Sequence, residues 1–112
     1  MATDLQLKDS WVWEEVACEN RRQINKWGVQ SHNIAEWHLI IAEEFGELSK
    51  EMLAEHFEGD SYNPSDRIAL RSRLENEAIQ LATLAMKIAE MAHSSKLDTI
   101  AKRYIEIPES EG

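Results

Sequence analysis

Apolar residues recur along this chain at helical spacing, and the stretch that organises the rest is residues 42–52, AEEFGELSKEM. Around it, Ile34, Trp37, Ile41, Phe45, Leu48 and Met52 fall within a narrow arc when each residue turns the helix by about 100°. Glu44, Glu47 and Glu51 line one border of that arc, while Glu43 points about 100° further round. The same periodicity predicts a first helix capped by Asp9 or Ser10 and running to about Trp27, where Gly28 stops it. Residues 29–33 form a polar connector. Ser31 or Asn33 then caps the second helix, which carries the organising stretch to about Phe57.

Residues 58–65, EGDSYNPS, read as a loop, with Pro64 and Ser65 ready to start the next helix. A third helix is predicted from about Asp66 to His93, and a short fourth from about Lys96 to Tyr104, ending before Ile107-Pro108. The expected organisation is a flexible arm over residues 1–8, one all-α, four-helix domain over 9–106, and an acidic tail over 107–112. The third helix has Leu70, Leu74, Leu81, Leu84 and Ile88 as its apolar stripe, with Glu77 in the middle and Gln80 on the border. Ile79, Ala82, Ala85, Met86 and Ala89 make it apolar nearly all round, the pattern of a helix central in a bundle or buried between subunits. With so few helices available, an oligomer is the expectation.

These carboxylates raise a question of charge. Like charges one turn apart on a helix disfavour it by a few tenths of a kcal/mol per pair, roughly. An unpaired carboxylate among leucines costs far more, unless an arginine or a cation meets it. Glu77 must face the interior that Glu44 and Glu47 border, and a divalent cation with a preference for carboxylate oxygens would satisfy all three.

Composition narrows the field. The chain has 112 residues, a size for one domain, and its net charge of −9 argues against a nucleic-acid polymer as partner. It leaves room for a small polyphosphate held by metal and a few local cations. The single Cys18 cannot close an internal disulfide, there is no apolar run long enough to cross a membrane, and the N-terminus has no signal-peptide core. Together these predict a cytoplasmic protein with no membrane partner.

Glu43-Glu44-Phe-Gly-Glu47 followed after a loop by Glu77-Ala-Ile-Gln80 resembles the EExxE…ExxD pattern of the MazG-like, all-α nucleoside triphosphate pyrophosphohydrolases. The segment from Arg22 through Trp27 to His32-Asn33 is similar to the family's lead-in. Lys102-Arg103-Tyr104 resembles its basic, aromatic C-terminal segment. The resemblance spans about residues 11–104. It implies cleavage of a nucleoside triphosphate between the α- and β-phosphates, Mg²⁺ (or Mn²⁺) as cofactor, and a homodimer or homotetramer. On it, Glu44, Glu47 and Glu77 match the metal ligands and Glu43 the extra acid that binds a second ion or orients water. Trp27 and His32 match base-contacting positions; Lys50, Lys96, Lys102 and Arg103 are weaker candidates for phosphate contacts. The chemistry is consistent, because phosphoryl transfer asks the protein for positioning and charge neutralisation more than for a covalent nucleophile.

One departure from that pattern and one oddity within it stand out. Gln80 occupies the place of the family's last acid, offering a carbonyl as ligand but one charge fewer. Gly46 sits inside a helix at a cost of roughly 1 kcal/mol relative to Ala, which fits the close approach of another helix backbone. Two further readings compete with the enzyme: a nucleotide-binding regulator without turnover, favoured by Gln80, and a helical interaction module, which has no use for Glu77. A di-iron bundle would need paired Glu-x-x-His motifs, and only Glu90-x-x-His93 is present.

Overall fold

The computed structural model describes residues 4–111, with side chains to residue 103 apart from residue 61. Three α-helices carry the chain: α1 (Val12–Trp27), α2 (Ile34–Glu58) and α3 (Pro64–Glu111), with one 3₁₀ turn (Gly59–Ser61) between the last two. There is no strand among the described residues.

Local chemistry accounts for each boundary. The Ser10 hydroxyl accepts the Val12 N–H at 3.2 Å where α1 begins. Just upstream, the Leu7 carbonyl accepts the Trp13 indole N–H at 2.6 Å, which ties the expected arm to the start of α1 at Leu7; residues 1–3 fall outside the described residues. Gly28 ends α1 at φ +76°, ψ −179°, a backbone region essentially confined to glycine, and its N–H reaches the Ile24 carbonyl at 2.7 Å. Of the two caps offered for α2, Asn33 serves. Its side chain accepts the Glu36 N–H at 2.9 Å while the Glu36 carboxylate accepts the Asn33 N–H at 3.0 Å, a reciprocal capping box. Asn63 caps α3 on one side only, its side chain accepting the Asp66 N–H at 2.9 Å, with Pro64 in the first helical position.

The expected third and fourth helices are one helix of 48 residues. Ser94-Ser95, where a break is predicted, continues the helix, and Thr99 Oγ1 donates back to the Ser95 carbonyl at 3.0 Å. Serine is only mildly unfavourable in a helix, and no Gly or Pro stands between Pro64 and Pro108 to stop the ladder. The backbone of α3 runs on through residues 107–111, placed in an acidic tail by the sequence, and Gly112 lies outside the described residues.

Both α1 and α2 pack on α3, and they do not pack on one another. The buried apolar side chains among the described residues are Val16 from α1, Trp37 from α2, and Leu70 and Leu84 from α3. Thr83 is also buried, its hydroxyl donating to the Ile79 carbonyl at 2.8 Å. Leu74, Leu81 and Ile88 of the α3 stripe are half-buried. The α2 stripe divides: Trp37, Ile41 and Leu48 turn towards α3, whereas Phe45 is 61% and Met52 55% exposed. Gly46 faces open space, with nothing of this chain within 4 Å of where a Cβ would stand, so no helix of the same chain makes the expected close approach. The radius of gyration is 19.7 Å, against about 13 Å for a compact chain of this length. The long dimension is 74 Å because α3 outruns both of its partners.

Replacing Gly28 with Ala leaves room for the methyl group but not for the backbone. We expect a loss of about 1–3 kcal/mol, read by denaturant unfolding at fixed protein concentration; an unchanged midpoint would show that the turn relaxes without cost.

Candidate metal and ligand site

The α2–α3 seam brings Glu44, Glu47 and Glu77 together, with one carboxylate oxygen of each lying within 4.8 Å of the others. The reason is periodicity: Glu44 borders the arc that α2 presses on α3, and Glu77 sits within the leucine stripe that receives it. Glu44 and Glu77 are half-buried and Glu47 is exposed. No ion pair among the described residues neutralises any of the three. Arg73 is engaged with Glu51 at 3.5 Å and Arg71 with Glu55 at 3.1 Å, one and two turns beyond Glu47 along α2. The expected alternative of an arginine against Glu77 is thus not what the seam contains.

Glu44 Oε2 and Glu77 Oε2 are buried without a hydrogen-bond partner. Burial, then the adjoining charges of Glu47 and Glu77, and more weakly that of Glu43, raise the Glu44 carboxyl to about 7. Burial and the charge of Glu47 also raise Glu77. Three carboxylates with two orphaned, desolvated oxygens form an acceptor-only donor set, which fits a hard divalent cation.

Beside this cluster lies a cavity of about 530 Å³, set where α1 and α2 stand apart above α3. Glu44 and Gln80 form the end next to the acids; Trp37, His32 and Trp27 supply aromatic walls. His32 packs edge-on against Trp37 with ring centroids 4.9 Å apart, and its Nε2 lies 3.0 Å from Gln30 Oε1. Trp27 is 54% exposed, with the Lys26 ammonium 4.6 Å from its ring centre.

Of the residues singled out from the sequence, Glu44, Glu47 and Glu77 meet, while Gln80, Trp27 and His32 line the adjoining cavity. Glu43 is exposed and outside the triad, acting on it only through its charge. Lys50 is exposed and does not line the cavity. Lys96, Lys102 and Arg103 are exposed further along α3, roughly 8–18 Å of helix rise beyond Met91, the last α3 residue that lines the cavity, and they do not line it. Sequence reasoning passed over Trp37 as a wall, and Gln23 and Lys87 altogether. The one available signal was Lys87 itself, a lone cation within the apolar run from Leu81 to Met91.

Compared with protein-family models, with curated proteins and with solved structures, the chain finds no match in any of the three. No helix among the described residues is long and apolar enough to cross a membrane.

A carboxyl raised on folding from 4.5 to about 7 makes the folded state hold a proton that the unfolded chain releases. Stability of the chain in chelator is therefore full below about pH 4.5 and falls as pH rises through about 7. Melting temperatures across pH 5–8 should decline for the parent and flatten for Glu44→Gln; parallel curves would show that Glu44 is not the titrating group.

Proposed function

We propose that this chain is a Mg²⁺-dependent nucleotide pyrophosphohydrolase of the MazG-like, all-α kind, with Mn²⁺ as an alternative ion. It converts a nucleoside triphosphate to the monophosphate and pyrophosphate, in the manner of an enzyme that clears the nucleotide pool. The observation that carries the reading is the adjacency of the Glu44, Glu47 and Glu77 cluster to a cavity of about 530 Å³ walled by Trp27, His32 and Trp37. That volume suits a small molecule rather than a polymer, ordinary ligand sites being about 300–1,000 Å³.

The roles follow from the chemistry of each group. Glu44, Glu47 and Glu77 would hold the ion, with the Gln80 carbonyl as a neutral neighbour. Bound there, Mg²⁺ supplies neutralisation of phosphate charge as the bridging P–O bond breaks. Trp27, exposed and on the cavity rim, offers its face to a base, a contact of about 1–3 kcal/mol in single-strand binders. Glu43, adjoining the cluster but free of it, is the acid that orients the attacking water. Water oxygen bonds to phosphorus, the bridging oxygen leaves with pyrophosphate or the monophosphate, and the water's proton passes to a carboxylate. Lys50, Lys96, Lys102 and Arg103 would reach phosphate only from another copy of the chain.

Such copies are part of the proposal, as a homodimer or homotetramer. Phe45, Met52, Leu53 and Phe57 of α2 are exposed around an open Gly46, and Ala85, Met86 and Ala89 of α3 are exposed as well. An apolar face of this breadth is characteristic of surfaces that another protein covers. The free, exposed Cys18 is in keeping with a reducing, cytoplasmic setting. Gln80 beside Glu44 favours a second reading, a regulator that binds the nucleotide without cleaving it.

Pyrophosphate release from a panel of nucleoside triphosphates, with Mg²⁺ and with chelator, tests the enzyme. Metal-dependent release with matching monophosphate is expected, lost by about 100-fold or more in Glu47→Gln and in Glu77→Gln with the helical signal retained. Full activity in both variants would remove the site assignment, and binding without release would leave the regulator. Separately, sedimentation should give a mass of two or four chains, reduced to one by Phe45→Glu with Met52→Glu; a monomeric parent would overturn the assembly.

A further inference from the structure

Lys87 projects from α3 into the cavity wall opposite the acids, and three features of its surroundings converge. First, it is half-buried, and its Nζ donates to one neutral group, Gln23 Oε1 at 2.5 Å, across the α1–α3 contact. Second, no carboxylate pairs with it among the described residues. The nearest acid along the network, Glu19, accepts from Gln23 Nε2 at 3.1 Å and is already engaged by Arg22 at 2.7 and 3.0 Å. Third, an ammonium has three donors and no acceptor, so after Gln23 it still has N–H groups to place, and the cavity is where they open. A half-buried ammonium held by an amide alone is a cation whose charge no neighbouring carboxylate offsets. Burial accordingly presses its pKa down, with Glu19 opposing more weakly.

We propose that Lys87, steadied by Gln23, is a phosphate-binding residue of the cavity and takes a phosphate oxygen of the bound nucleotide. The proposal rests on the nucleotide reading of this cavity and adds a contact for which neither helix periodicity nor the acidic pattern gave any reason. Charge along the cavity supports phosphate over a neutral group. Glu44 stands at one end, and Lys87 lies seven residues beyond Gln80, about 10 Å along the α3 axis. Arg22 also lines the wall, its charge met by Glu19, so Lys87 is the cation without a carboxylate there. A polyphosphate carrying its own cation at the acidic end complements both halves, whereas a nucleoside alone would leave the ammonium uncompensated. Gln23 has a positioning role, since its amide bridges Glu19 and Lys87 and fixes where the ammonium stands.

The test is binding rather than turnover. Nucleoside triphosphate analogues with a non-hydrolysable α,β bridge, the matching monophosphates, inorganic pyrophosphate and unphosphorylated nucleosides are titrated by calorimetry and tryptophan fluorescence, in Mg²⁺, against the parent chain, Lys87→Met and Lys87→Arg. Lys87→Met should weaken the phosphorylated ligands by about tenfold or more, the loss of one charge-assisted hydrogen bond, and leave nucleosides unchanged; Lys87→Arg should restore most of the affinity. Equal binding of phosphorylated ligands by parent and Lys87→Met overturns the proposal. So does an equal loss for nucleosides, which marks a wall residue, and so does a parent chain that binds no phosphorylated ligand. Loss of phosphate affinity in a chain that releases no pyrophosphate keeps Lys87 in place and removes the hydrolase. Pyrophosphate release with KM unchanged by Lys87→Met does the reverse.

Discussion

The packing of α2 on α3 forces negative charges together, and much else in the molecule answers to that. Trp37, Leu70 and Leu84 are buried on the faces that meet, and Glu44 and Glu77 occupy those same faces. The register that buries them also sets Glu77 beside Glu44 and Glu47. The arginines close enough to relieve them are committed to Glu51 and Glu55. Relief must then come from a proton, which holds Glu44 near 7, or from a cation outside the chain. A seam selected for stability alone would place a leucine at position 77. The carboxylate there is understandable if the site is kept for binding at the expense of folding.

The second consequence concerns α1. Because α1 and α2 each rest on α3 with their backbones apart, the space between them is a cavity rather than a core. Its charge is divided: Glu44 of α2 stands at one end beside Gln80 of α3, and Lys87 of α3 lines the wall further along. The connector that turns the chain through Gly28 contributes His32, wedged edge-on against Trp37. One stretch of irregular backbone thus closes the cavity while the helices supply its chemistry, an economical division because helical side chains are held in fewer positions than loop ones.

The length of α3 explains the thinness of the core. A helix of 48 residues cannot be covered by neighbours of 16 and 25 residues. The few buried apolar side chains and the exposed face around Gly46 follow directly. The exposed breadth of α2 also explains why its sequence stripe looked like a single face: Phe45 and Met52 share the arc of Trp37 and Leu48, yet α3 is wide enough to cover only part of it.

Sequence alone determined the all-helical class, the ends of α1 and α2, and the meeting of Glu44, Glu47 and Glu77. These depend on residues within one or two turns: a glycine with positive φ, an Asn–Glu capping box, and apolar spacings that fix which way a carboxylate faces. It failed at Ser94-Ser95, where weak local preference yields to an uninterrupted hydrogen-bond ladder. Only the tertiary structure decided that Lys87 and Gln23 meet, that Trp37 walls a cavity, and that Lys50, Lys96, Lys102 and Arg103 stand away from it. Those facts depend on the gap between two helices whose backbones stand apart, and spacing along a single helix carries no information about the distance to its neighbours.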